Sequence, residues 1–105
     1  NFAIGDQMKV EFHPEASTEF QAAAAYYENE VPGLGEAFIS EVERVAELIG
    51  AHPGTGNPID PILRRVVLVR FPFSIVYHYE SEKLSIVAVA HQRRKPGYWR
   101  GRAGR

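Results

Sequence analysis

The chain has 105 residues, a hydrophobic fraction of 45%, no cysteine and a formal net charge of −1. This length is typical of one domain with a single modest core. The lack of cysteine excludes disulfide bonds and thiolate metal sites, and no apolar run reaches the ~18 residues that a membrane-spanning helix needs. The amino end lacks the basic and apolar regions of a signal peptide, so we expect a cytoplasmic protein without membrane contact.

The first predicted strand is MKVEFH, in which Val10 and Phe12 alternate with polar residues. Residues 1–7, which precede it, are interpreted as an N-terminal extension or a remnant of cloning. Residues 8–102 form the one predicted domain, and residues 103–105 are interpreted as a C-terminal tail.

Two helices are predicted next. Pro14 suits a first helical position, and the alanine-rich run up to Glu30 places apolar residues three and four apart. A turn at 31–33 breaks the pattern, and a second helix is predicted from about Leu34 to Ala51. Four acids fall outside its apolar stripe and are expected on a solvated face: Glu36, Glu41, Glu43 and Glu47.

Three β-rich runs follow a proline- and glycine-rich loop: LRRVVLVR, FSIVYHYE and LSIVAVAH. Short turns between them predict an antiparallel meander. The expected fold is therefore α+β, with a helical hairpin packed on a mainly antiparallel four-stranded sheet in the order β-α-α-β-β-β. In a meander the first and third strands end at the same edge of the sheet. We expect Arg70, His91 and the start of the basic tail to cluster there, with Arg64 and Arg65 at the opposite edge.

The other motifs favour structural roles. The four histidines have no metal-ligand spacing, so no metal and no cofactor are predicted. The GLG at 33–35 and the GTG at 54–56 lack the remaining residues of a phosphate-binding loop and are interpreted as turns.

Charge is unevenly distributed. Residues 91–105 carry six of the 12 basic residues and no acid, so all 13 acids lie before them. The two parts could attract one another, within one molecule or between copies. The stretch AHQRRKPGYWRGR is interpreted as a solvated tail, a docking surface or a chemical site. As a docking surface it must be exposed and not paired with the glutamates of the chain itself. Its predicted target-binding residues are Arg93, Arg94, Lys95, Tyr98, Trp99 and Arg100.

Three stretches together resemble one known family: PGLGEAF, RFPFSIVY and AHQRR. Their order and spacing are similar to the RelE/ParE superfamily of bacterial toxins, in its ParE-like plasmid-stabilisation branch, over about residues 8–102. The resemblance implies the toxin half of a type II toxin–antitoxin module, with a cognate antitoxin as partner. It also implies contact with operator DNA only through the antitoxin complex. A homodimer remains open.

The resemblance leaves the target open. ParE-like members inhibit DNA gyrase by binding, whereas RelE-like members cut mRNA on the ribosome without a metal. In a nuclease, Arg70, His91, Arg94 and Tyr98 would be the catalytic residues. The chain has only three lysines and little positive charge outside its tail, which favours gyrase binding over an enzyme. A third interpretation is a non-toxic, antitoxin-binding regulatory domain.

Overall fold

The structure is a computed structural model that describes residues 2–4 and 8–102. Residues 1, 5–7 and 103–105 lie outside the described part, and with them lie much of the predicted N-terminal extension and the whole predicted C-terminal tail. Within the described residues, no helix combines the length and the apolar character that crossing a membrane requires.

Six strands and two helices make up the described chain. The elements are β1 (Phe2–Ile4), β2 (Met8–Phe12), α1 (Pro14–Glu30), α2 (Leu34–Ala51), β3 (Asn57–Pro58), β4 (Arg64–Val67), β5 (Phe73–Glu80) and β6 (Lys83–His91). The strands form one sheet in the order β1-β2-β6-β5-β4-β3. β2 pairs parallel to β6, and the other neighbours pair antiparallel.

This architecture confirms the predicted α+β class, the helical hairpin and the meander of β4, β5 and β6. The predicted count of four strands is wrong, because the described residues contain six. β1 lies in the stretch interpreted as an extension and pairs with β2. β3 is a two-residue strand inside the predicted loop, paired with β4. Both are too short to show a hydrophobic period in the sequence.

Local signals in the sequence fix both helix starts. His13 caps α1, where its Nδ1 accepts a hydrogen bond from the backbone N–H of Glu15 at 3.2 Å. Before α2, Gly33 has a φ of 89°, which a residue with a Cβ rarely adopts. The Glu28 carboxylate accepts hydrogen bonds from the N–H groups of Gly33 at 2.9 Å and Gly35 at 3.0 Å. The GLG stretch therefore binds a carboxylate of its own chain, as a turn would.

Both helices cover the same face of the sheet. The predicted α2 stripe is confirmed, since Phe38 and Ile49 are fully buried there against Ile75 and Ile86. Phe38 is also in ring contact with Phe71 at 5.2 Å between centroids. Full burial of one such side chain stabilises a fold by about 1.5–3 kcal/mol.

A second, smaller core lies on the other face of the sheet. Trp99 is 4% exposed there and packs over Val76 of β5 and Ala88 and Ala90 of β6. Both strands carry apolar residues at consecutive positions, so both of their faces need cover. On this face the cover comes from the end of the chain and from the loop before β4.

Candidate functional site

The basic end of the chain starts where the end of β4, the start of β5 and the end of β6 lie side by side. Phe73, the first residue of β5, is paired with His91, the last residue of β6. From there Gln92 donates its N–H to the carbonyl of Pro72 at 2.8 Å, which ties the departing chain to the β4–β5 corner. Arg64 lies away from this edge, paired with Tyr77. As predicted, the meander therefore delivers the basic segment to the edge opposite Arg64.

A groove of about 400 Å³ lies beside this edge, between α1 and β6. Tyr26 is 60% exposed at its rim. Three of the candidate residues line the groove, namely His91, Arg94 and Tyr98. Its remaining lining residues are mostly apolar: Glu19, Ala22, Ala23, Tyr27, Phe73 and Val89.

His91 is fixed by two contacts. Its ring lies edge-on to Phe73, with 5.0 Å between centroids. Its Nδ1 accepts a hydrogen bond from the backbone N–H of Arg93 at 3.0 Å. The histidine thus shapes the turn into the basic segment.

Tyr98 links the basic segment to α1. Its hydroxyl donates to Glu19 Oε2 at 2.8 Å, and the guanidinium of Arg94 stacks over its ring at 3.9 Å from the centroid. Burial, followed by the hydrogen bond and the charge of Glu19, raises the pKa of Tyr98 to about 12. The hydroxyl is therefore protonated at neutral pH and bound to Glu19.

Arg102 is folded back onto the domain. It is 11% exposed, its Nη2 lies 3.0 Å from Glu19, and its Nε lies 3.0 Å from Glu15. Its Nη1 donates to the carbonyl of Val87 at 3.0 Å. Burial acts to lower the pKa of Arg102, but the hydrogen bond to Glu19 and the charges of both glutamates outweigh it and raise the pKa. The distal part of the tail is therefore internally paired, contrary to the expectation that its arginines are unpaired.

Trp99 and Arg100 also depart from the expected docking surface. Trp99 is buried in the second core, so its prediction as an exposed target-binding residue is wrong. It is buried because the outer face of β5 and β6 needs an apolar cover. Arg100 is exposed but forms an ion pair with Asp60 at 3.3 Å. A hydrogen bond from the Ile62 N–H is the largest influence lowering the pKa of Asp60.

The proximal part of the segment stays in solvent. Arg93, Arg94 and Lys95 are exposed, and within residues 2–4 and 8–102 none of the three forms an ion pair. A run of three unpaired cations therefore lies beside an apolar groove.

Arg70 does not join this groove. It lies in the corner after β4, with its guanidinium 5.5 Å from the ring of Phe71. Its charge acts instead on Glu41 of α2, which is buried and not solvated as expected. The hydrogen bond from Arg44 is the largest influence lowering the pKa of Glu41. Arg70 and His91 were expected to cluster, but Arg70 lies beside Phe71 whereas His91 lines the groove.

Glu19 is the residue of this site that sequence reasoning missed. The signal was weak, since only the separation of acids from bases along the chain pointed to pairing between the ends. Among the described residues, no three histidine, aspartate or glutamate side chains come together as a metal site would require.

The comparisons with known proteins point in one direction. The sequence matches the model of the family described as "ParE toxin of type II toxin-antitoxin system, parDE" over residues 10–96. A solved structure titled "Chromosomal ParDE TA system from P. aeruginosa" is similar with a TM-score of 0.58 and 20% identity. The match covers 81% of this chain and 96% of that one, and at this identity it concerns the fold. No curated protein matches the sequence.

Proposed function

Because the chain belongs to the family of ParE toxins of type II toxin–antitoxin systems, we propose that it acts by binding DNA gyrase and inhibiting it. The family match confirms the resemblance found in the sequence. The identity of the target, DNA gyrase, is the more specific part of the proposal. Inhibition of gyrase requires the toxin to act in the cytoplasm.

The observation that carries the proposal is the exposed run Arg93, Arg94 and Lys95 beside the apolar groove. An arginine next to an apolar pocket is typical of the anchors that dominate protein–protein binding. The run is held on a folded segment, since Arg94 donates its N–H to the carbonyl of His91 at 3.0 Å. A fixed surface loses less conformational entropy on binding than a mobile tail.

The hydrogen bonds of the groove also support binding over cleavage. A nuclease needs groups that can exchange protons near neutral pH. Tyr98, with its pKa raised to about 12, is bound to Glu19. Arg70, another of the four candidate catalytic residues, does not line the groove.

One observation favours the mRNA endoribonuclease as a second candidate. His91, Arg94 and Tyr98 line the same groove, as they would in a site that binds a phosphate and moves a proton. In that case a His91→Ala substitution abolishes toxicity, whereas a toxin that acts by binding retains most of it.

A cognate antitoxin is the proposed partner that keeps the toxin inactive, and contact with operator DNA is proposed only for the toxin–antitoxin complex. The apolar groove is a suitable surface for such a partner because Tyr26 and Ala22 of α1 are exposed there. Sedimentation of the purified chain tests whether it forms a homodimer.

The test is a supercoiling assay with purified gyrase. Arg93→Gln/Lys95→Gln should weaken inhibition by about tenfold or more, the effect expected for two interface cations. The control Lys9→Gln/Lys83→Gln also removes two exposed cations but lies at the far end of β6 and should stay within about twofold. Unchanged supercoiling with wild-type toxin, together with new mRNA 5′ ends after its expression, would establish the nuclease. Normal growth and no inhibition would establish the non-toxic regulatory domain.

A further inference from the structure

We infer that Glu19 is a positioning residue, which holds the carboxyl-terminal segment (residues 92–102) against α1 and β6 and thereby sets the direction in which Arg94 faces the target. The inference rests on the proposed function in one respect, namely that this segment carries the toxic surface.

Glu19 gathers four donors from distant parts of the chain. Its carboxylate accepts hydrogen bonds from the hydroxyl of Tyr98 at 2.8 Å and from both terminal nitrogens of Arg102, at 3.0 and 3.2 Å. The fourth donor is the backbone N–H of Val89 at 3.0 Å. Glu19 is only 16% exposed, so these charge-assisted bonds are partly shielded from water.

The contact with Val89 explains why the carboxylate lies at this place. β2 pairs with β6 only up to Ile86, because the chain then turns into α1. The edge of β6 beyond Ile86 would otherwise expose unpaired backbone groups. Glu19 accepts from Val89, while Arg102 donates to the carbonyl of Val87 at 3.0 Å. The ion pair thus occupies hydrogen-bonding positions that a neighbouring strand would fill.

Tyr98 connects Glu19 with Arg94. The tyrosine is bound to Glu19 on one side and supports the guanidinium of Arg94 on the other, at 3.9 Å from its ring centroid. Trp99, the next residue, is inserted in the second core. Glu19 therefore supports the ring on which Arg94 rests, while only 16% of its own side chain is exposed in the groove.

The experiment compares Glu19→Gln with Glu15→Gln in the full chain. Glu15 is the matched control because it lies one turn earlier on α1 and pairs with the same Arg102, yet it is 67% exposed and makes a single contact with it. Three quantities are measured: the fluorescence of Trp99, the pKa of Tyr98 by NMR, and the dose of toxin that arrests bacterial growth. Trp99 is the only tryptophan of the chain, so its emission reports directly on the segment.

For Glu19→Gln we expect a red shift of Trp99 emission, a lower pKa of Tyr98 and an arrest dose raised by about tenfold. The far-UV circular dichroism should remain that of the wild type. For Glu15→Gln we expect all quantities near wild type, with an arrest dose within about twofold. A role confined to stability would leave the arrest dose of the folded variant unchanged.

Two outcomes overturn the inference: wild-type emission in Glu19→Gln, or shifted emission with an unchanged arrest dose. Should Glu19→Gln fail to fold, Arg102→Gln removes the same ion pair from the segment and is judged by the same criteria. The gyrase proposal fails separately, if the wild type arrests growth without affecting supercoiling, and Glu19 is then still judged by growth arrest. A wild type that does not arrest growth overturns both.

Discussion

Cations of one short segment serve two different purposes. Arg102 is nearly buried between two glutamates, whereas Arg93 and Lys95 are exposed and unpaired among the described residues. The pair of Arg100 with Asp60 lies near the surface, where water and salt screen an ion pair and make it weak. A run of positive charge in a sequence therefore does not by itself mark a docking surface, since burial decides which cation is free.

A pH dependence follows from Tyr98. Its pKa in the folded chain is about 12, above the ~10 of an unfolded tyrosine, so the folded state holds this proton more tightly. The stabilisation is complete below pH ~10 and is lost as the pH rises towards 12. Urea denaturation of wild type and Tyr98→Phe should show a difference in stability that shrinks across this window.

At neutral pH, the Tyr98→Phe variant measures the contribution of the hydrogen bond to Glu19. Loss of the hydroxyl removes one donor from Glu19 and should lower the free energy of unfolding by about 0.5–1.5 kcal/mol. A difference between the two proteins that stays constant from pH 8 to pH ~11.5 would contradict the raised pKa.

At the scale of elements, the sheet is covered by different means on its two faces. The helices α1 and α2 cover one face, and the other depends on the loop before β4 and on the carboxyl-terminal segment. Gly97, with a φ of 86°, supplies the backbone turn that brings the segment back over the sheet. A tail can thus replace a layer of secondary structure in a small domain.

Removal of the tryptophan tests this cover. Trp99→Ala should lower the free energy of unfolding by about 3–5 kcal/mol, as expected for a large side chain lost from a core. Tyr26→Ala is the control because that aromatic ring is 60% exposed, and it should cost less than about 0.5 kcal/mol. Equal values from urea denaturation of the two variants would mean that the second core contributes nothing.

The turn between the helices gives a further prediction. Glu28→Gln weakens the hydrogen bonds to the N–H groups of Gly33 and Gly35 and the attraction of a carboxylate to the amino end of α2. We expect a loss of about 1 kcal/mol in thermal or urea unfolding. Glu30→Gln, an exposed change two residues later, should be neutral, and a similar loss there would show a general charge effect.

The sequence predicted the elements whose signals are local. The bounds of α2 agree with the prediction because its apolar stripe and the flanking breakers lie within one short window. β4 ends at Val67, earlier than its apolar run suggests, because the chain bends at the corner that contains Pro72. The burial of Trp99 and the role of Glu19 depend on contacts between distant parts of the chain, which no local period reveals.

For the whole molecule, the separation of charge along the sequence is partly undone by folding. Arg102 returns to α1 and Arg100 to Asp60, so the positive end neutralises part of the negative domain. Among the cations of the basic end that the structure describes, the exposed run Arg93 to Lys95 remains without an ion pair, on a chain of net charge −1. Unpaired positive charge is therefore concentrated at one place on a molecule that is nearly neutral overall.

This uneven distribution of charge predicts that the rate of association with the target depends on the salt concentration. The association rate should fall by about tenfold from ~0.05 M to ~0.5 M salt, while the dissociation rate changes little. Surface plasmon resonance on immobilised gyrase measures both rates. Arg93→Gln/Lys95→Gln should flatten the dependence and Lys9→Gln/Lys83→Gln should keep it, so equal slopes for the two variants would rule out steering by this run.

The parallel pairing of β2 with β6 has a consequence for synthesis. Lys9 pairs with Lys83 and Phe12 with Ile86. β2 is therefore synthesised early but cannot pair with β6 until that strand has been synthesised. A nascent chain possesses both helices long before the partner strand leaves the ribosome, and such distant pairing forms slowly. The segment that follows β6 and carries Arg93, Arg94 and Lys95 is held in place only once β6 has paired with β5. Under the proposed function, a nascent chain that lacks β6 therefore does not yet present the target-binding surface.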